Sequence, residues 1–236
     1  MEEPLPQVIR GLVAGACVLA SAQPLGAQSP FAVGETLRYE ASLGIVPAGS
    51  ATIRVSGTTV HRGERLFVLT MQGGGGRGAL AATVSMTSWA GGDRFVSHRF
   101  LRSTDFRGRT TSDRYAIEPD SGLYRKDGSD GAWVTPSQPL DELAMLYYLR
   151  TLPLRVGSSL TLDGYFRNGY NPVHVRVTGR EMVELGSGEE AACLALTVSA
   201  AGLTSEVWLT ADAARLPARL RVPTPVGRVT LVLARR

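Results

Sequence analysis

The sequence predicts an all-β, mainly antiparallel protein. The expected form is a strongly curved sheet, half-barrel or open barrel of about ten or more strands built from two similar meanders, with one buried helix near 141–150. Three observations carry this expectation. Apolar and polar residues alternate over short runs, turn-forming pairs recur at roughly ten-residue intervals, and a single segment has helical character.

The alternation is plainest where Ala51, Ile53 and Val55 interleave with Thr52, Arg54 and Ser56, and where Val173, Val175 and Val177 interleave with His174, Arg176 and Thr178. A period of two places one set of side chains on a buried face and the other in water. Further runs of this kind lie near 35–43, 64–72, 82–90, 94–103, 109–118, 190–199, 203–210 and 226–235. Arg62-Gly63, Gly91-Gly92-Asp93, Arg107-Gly108, Asp120-Ser121-Gly122 and Gly186-Ser187-Gly188 punctuate them. Gly73-Gly74-Gly75-Gly76-Arg77-Gly78 reads as a flexible hairpin tip, because a phosphate-binding loop needs Lys-Ser/Thr opening a helix and here Ala79-Leu80-Ala81 follow.

The helical segment runs from Pro139 to Arg150, with Asp141 and Glu142 in its first turn and Arg150 in its last, as the helix dipole favours. Pro153 ends it. Leu143 to Leu149 are all apolar or aromatic, so the helix has no polar face and must be buried on nearly all sides, crossing the concave side of the sheet. An internal repeat surrounds it. Val55-Ser56-Gly57 is matched by Val177-Thr178-Gly179, Gly63-Glu64 by Gly188-Glu189, and Trp89, Asp93 and Arg99 by Trp208, Asp212 and Arg219. The expected organisation is a leader at 1–27 and one β domain at 28–236. Its repeats, about 35–100 and 165–220, are joined through the helix at 141–150.

Residues 1–27 read as an export signal, with Arg10 before the apolar stretch Gly11–Ala20 and cleavage after Ala22 or Ala27. Cys17 is not a convincing lipid-attachment site, since apolar residues continue beyond it. Export directs the chain to the periplasm or outside the cell. Removing the leader takes away Glu2, Glu3 and Arg10, raising the net charge of +4 by one, and leaves Cys193 as an apolar core thiol without a disulfide. Charged residues are only 19% of the chain, which excludes a coiled coil and a highly charged disordered chain. Outside the N-terminus no apolar run approaches the roughly 20 residues of a membrane helix.

Catalytic signatures are absent. His61, His98 and His174 are far apart in sequence, there is no His-Glu-x-x-His, paired Cys or acidic calcium loop, and Asp120-Ser121-Gly122 is turn chemistry. No catalytic residue, metal or cofactor is therefore expected. Glu206, Asp212, Asp93 and Asp163 are the acids that an enzyme reading would have to use. The stretch 94–126 carries eight basic residues against four acids, with interleaved aromatics. It reads as a solvated sheet face with cross-strand pairs at Asp105 and Asp113, and export argues against nucleic acid.

Several segments resemble the exported bacterial family known as domain-of-unknown-function family 3108. They are Pro30–Tyr39, Gly44–Ala51, the helix segment Leu146–Leu154 followed by Val156-Gly157, and the close Val207-Trp208-Leu209 with Asp212 and Leu216-Pro217-Ala218-Arg219. The resemblance spans residues 30 to 233 and implies export and β-architecture, but no catalytic residue. At fold level, Trp208 to Arg219 and the apolar helix are similar to periplasmic lipoprotein carriers and their outer-membrane receptors. Those are half-barrels holding acyl chains under a helical lid.

The function expected is a non-catalytic envelope protein that binds a lipid or acylated molecule through Tyr147, Leu146, Arg150, Trp89 and Trp208. The alternative is a structural protein of the envelope holding a protein or glycan partner at its sheet edges or Arg-rich face.

Overall fold

The computed structural model describes residues 29–76, 81–92, 94–225 and 227–236. The expected leader, Cys17 and Asp93 lie outside them. The first half of the chain forms β1 (Thr36–Leu43), β2 (Val46–His61), β3 (Glu64–Gly75), β4 (Ala82–Gly91), β5 (Val96–Phe106), β6 (Arg109–Glu118), β7 (Leu123–Lys126) and β8 (Ala132–Val134). The helix α1 (Glu142–Thr151) follows. Then come β9 (Ser159–Leu162), β10 (Val173–Glu184), β11 (Glu190–Ala200), β12 (Leu203–Thr210), β13 (Pro217–Thr224) and β14 (Gly227–Arg235).

All fourteen strands form one antiparallel sheet in the order β8-β7-β6-β5-β4-β3-β2-β1-β14-β13-β12-β11-β10-β9. Each half is thus a meander, and the halves meet where β1 pairs with β14. The sheet is curved and open, not closed into a barrel. Bulges contribute to the curvature, since an extra residue bends its strand and increases the local twist. The register shifts between Val55 and Gly57 in β2 and between Val177 and Gly179 in β10. It also shifts between Trp89 and Ala90 in β4 and between Trp208 and Leu209 in β12. These are the positions that the sequence pairs.

Alternation sends Ala51, Ile53 and Val55 of β2 and Val173, Val175 and Val177 of β10 to the same inner face, where they pack with Leu37, Leu69, Leu196, Leu209 and the helix. Leu37, Leu69, Val55 and Leu209 have no exposed surface, each worth about 1.5–3 kcal/mol of apolar burial. Of the helix, Leu143, Ala144, Met145, Tyr147, Leu149 and Arg150 are buried, as a segment without a polar face requires. A smaller cluster on the outer face joins Val183, Cys193, Ala195, Trp208 and Ala218. A third is aromatic, centred on Phe100, Tyr115 and Phe166.

Two sequence expectations need correction. The glycine run is not a loop as far as Gly75: β3 extends through it, with Gly73 opposite Ala51 and Gly74 opposite Ser50. A Cβ on Gly75 would collide with the Ala48 carbonyl, so the close approach of β2 and β3 requires glycine there. The histidines also do not stay apart. The His61 and His98 rings lie 5.4 Å from centroid to centroid, because the β2–β3 hairpin and the start of β5 reach the same end of the sheet.

Candidate functional site

The helix spans the inner face at one end of the strands, and both of its termini are anchored. At its start Asp141 is the N-cap, its carboxylate accepting from the Leu143 and Ala144 amides, each at 3.0 Å. The Ser88 hydroxyl of β4 donates to it at 2.6 Å and that of Ser97 in β5 at 2.8 Å. All three side chains are fully buried. Burial pushes the Asp141 carboxyl up to about 7, against the pull of the Ser88 and backbone hydrogen bonds. The sequence marked Asp141 only as a first-turn acid. Serines at two inward strand positions were the signal of its partners.

At the other end Arg150 is completely buried, and its guanidinium grips both oxygens of Glu35, with Nη1 to Oε1 at 2.6 Å and Nη2 to Oε2 at 2.9 Å. Nη2 also donates to the carbonyls of Pro30 and Ala214. The Phe31 and Tyr147 rings flank it, with centroids 5.2 and 5.1 Å from its Cζ. Arg150 therefore ties together the segment before β1, the helix end and the β12–β13 turn, with Glu35 as its ion-pair partner. Tyr147 packs edge-on against Phe31 at 4.7 Å. Burial raises its hydroxyl well above the ordinary tyrosine range, Glu35 adds to the rise, and Arg150 opposes it. That hydroxyl has no hydrogen-bond partner among the described residues.

Beyond the helix the same inner face changes character. Reading across by register, Tyr39, Ala51, Gly73 and Val84 form one row; beyond it Ala41 lies opposite Gly49, and Gly75 opposite Ala82. Tyr39 is buried, its hydroxyl donating to the Pro217 carbonyl at 3.0 Å. The other residues of these rows are small, and this floor is bordered by Met71 and Met86 on one side and by Leu231, Leu220 and Val229 on the other, packed against the main core. Arg102 marks its inner edge, bridging Glu142 of the helix at 3.1 Å and Asp113 of β6 at 3.4 Å. Leu146, one helical turn after Glu142 and on the same side, is only partly buried. Two hairpin tips at this open end carry exposed apolar side chains, with Ile45 99% exposed, Val46 61% and Leu203 57%, whereas the β5–β6 tip there is Arg107-Gly108-Arg109.

Of the five residues expected to touch a ligand, only Leu146 borders this trough. Tyr147 and Arg150 are enclosed at the helix end. Trp208 belongs to the outer-face cluster, its indole nitrogen donating to Glu181 at 2.7 Å with Arg219 over its ring. Trp89 neighbours the inward Ser88 and so faces outward under the two-residue period, with Arg99 4.9 Å from its ring centroid. The floor of Ala and Gly escaped sequence reasoning because small residues give no hydrophobic periodicity.

The remaining groups do not converge. Glu206 pairs with Arg221 and Arg228, Asp212 accepts from Thr210, and Asp163 is exposed. His98 lies 3.3 Å from Glu64, and burial lowers its pKa, so it is neutral at pH 7. Among the described residues no group of three or more His, Cys, Asp or Glu is placed to hold a metal. Cys193 is a free buried thiol pushed up to about 11 by its burial, which leaves it unreactive. Asp113 does pair across strands, with Arg102 and Lys126, whereas Asp105 accepts from Thr110 instead of an arginine. Among the described residues no helix is long and apolar enough to cross a membrane.

No curated protein and no solved structure matches the chain. The profile of one protein family does, from residue 38 to residue 234. The match runs from the first strand to the last and takes in the helix with Asp141 and Arg150, while Glu35 and Pro30 lie just before it. The chain therefore belongs to the family described as "Protein of unknown function (DUF3108)".

Proposed function

We propose that this protein is a non-catalytic binder of a lipid or other acylated molecule in the cell envelope. The apolar part of the ligand would lie on the floor of small residues at the open end of the inner face. The observation that carries this reading is the contrast along single strands. β1, β2 and β3 offer Leu37, Ile53 and Leu69 to the core at the helix end but only Ala41, Gly49 and Gly75 at the other. Small residues between walls of Met71, Met86, Leu220 and Leu231 leave a groove that an acyl chain fits by shape and apolar burial. The leader-like segment at 1–27 supports placement in the envelope.

Titration with a fluorescent fatty acid tests the reading. Saturable binding to the wild type, abolished by Val84→Trp in a protein of unchanged melting temperature, supports it. Absence of saturation contradicts it.

A second reading, a scaffold that captures a partner strand, is favoured by one observation. β9 and the residues before it pair with β10 only as far as Val177, so among the described residues no strand pairs with the β10 edge from Glu181 to Glu184.

A further inference from the structure

Beneath the chain that leaves the helix lies a cleft of about 510 Å³, at the end of the strands opposite the trough. It is lined by Leu154, Arg155 and Val156, by Arg180 of β10, by Leu194 of β11 and by Arg215 of the β12–β13 turn. Three arginines, Arg155, Arg180 and Arg215, line this space. Among the described residues none of the three is in an ion pair, whereas Arg94, Arg102, Arg125, Arg150, Arg221 and Arg228 each meet a carboxylate. Two acids close by in sequence point elsewhere: Asp212 Oδ1 accepts from the Thr210 hydroxyl at 2.6 Å and from the Arg215 amide at 3.1 Å, and Glu181 accepts from the Trp208 indole at 2.7 Å.

Arg215 is the unusual member. Its backbone adopts the left-handed conformation with φ 45°, uncommon for a residue with a side chain. One terminal nitrogen, Nη2, donates weakly to the Leu154 carbonyl at 3.5 Å. The other, Nη1, is buried and has no partner. A buried guanidinium nitrogen without an acceptor is rare, because losing water without a replacement hydrogen bond is costly. Two further arginines beside it add like-charge repulsion. An anion with several acceptor oxygens would relieve both at once, and the planar fork of arginine matches the oxygens of phosphate.

We propose that this cleft binds a phosphate-class anion: free phosphate or pyrophosphate, or the phosphate of a headgroup. Arg215 Nη1 is the buried donor, and Arg155 and Arg180 are the exposed partners. The site does not depend on the apolar trough, and either can fail without the other.

The test is calorimetric titration of the full chain with inorganic phosphate and with pyrophosphate at low salt. Flotation with phosphatidylcholine vesicles, with and without phosphatidate, accompanies it. Arg180→Glu removes one partner from an exposed strand position, and Arg215→Gln keeps the shape of the turn but not the charge. Arg125→Glu makes the same charge change elsewhere as a control. Saturable one-to-one binding that Arg180→Glu weakens about 10- to 100-fold, while Arg125→Glu leaves it unchanged, is the expected result. Binding of the soluble anions identifies a free ligand. Flotation restricted to phosphatidate vesicles, with the same sensitivity to Arg180→Glu, identifies a headgroup. Equal losses in Arg180→Glu and Arg125→Glu, or no binding to either probe, would overturn the proposal.

Discussion

The two ends of the inner face are made by the same strands and do opposite things. At the helix end, β1, β2 and β3 present Leu37, Ile53 and Leu69, while Asp141 and Arg150 fix the helix against the sheet through buried polar contacts. At the open end the same strands present Ala41, Gly49 and Gly75, and the surrounding hairpin tips expose Ile45, Val46 and Leu203. Large interlocking side chains concentrate stability where the chain is closed. Small ones leave capacity where it is open. A sheet of this curvature therefore places its bulky and its small inward residues at opposite ends of the same strands.

The largest effect on stability should come from the closed end. Arg150→Met leaves Glu35 buried and uncompensated, a loss of about 3–5 kcal/mol in urea denaturation. Adding Glu35→Met should recover much of it. If the single change costs little, the closed end is not where the fold is held.

Asp141→Ala removes the helix cap and strands two buried hydroxyls, for roughly 2–3 kcal/mol. Asp141 also sets a pH dependence. Burial raises its carboxyl from 3.8 to about 7, so between these values the folded protein holds a proton that the unfolded chain releases. That stabilisation is present below about pH 4 and is lost as pH rises through 7. Denaturation midpoints should fall from pH 5 to pH 8 in the wild type, and the slope should flatten in Asp141→Asn.

At the open end stability should barely respond. Leu146→Ala, at the inner border of the trough, should weaken fatty-acid binding more than Tyr147→Ala does in protein that remains folded. Tyr147→Ala should instead lower the melting temperature, by about 3–5 kcal/mol of lost packing. Smallest of all, Ile45→Glu should change stability by less than about 0.5 kcal/mol. It should slow ligand uptake from vesicles, measured by stopped-flow fluorescence. An unchanged uptake rate would separate the exposed tips from the trough.

Long alternating runs and a helix without a polar face announced the architecture, because burial of one face leaves a period in the sequence. The short strands β7, β8 and β9 left none: β8 has three residues, all exposed. Proline at its start and near its end masked β13. The polar anchors were harder still. Nothing local to Arg150 indicates Glu35, since the pair forms across 115 residues of chain. Trp89 and Trp208 drew attention by size, yet both face away from the helix, and their faces depend on bulges that shift the register beside each of them. Arg155, Arg180 and Arg215 are ordinary surface arginines until the turn and the post-helix chain bring them together.

Native mass spectrometry of the protein isolated from an envelope fraction without detergent tests the division most directly. The wild type should carry a stoichiometric acylated species, identified in an organic extract, that is missing from equally stable Val84→Trp. A wild type that arrives empty and stays empty when fatty acid is added would contradict the account.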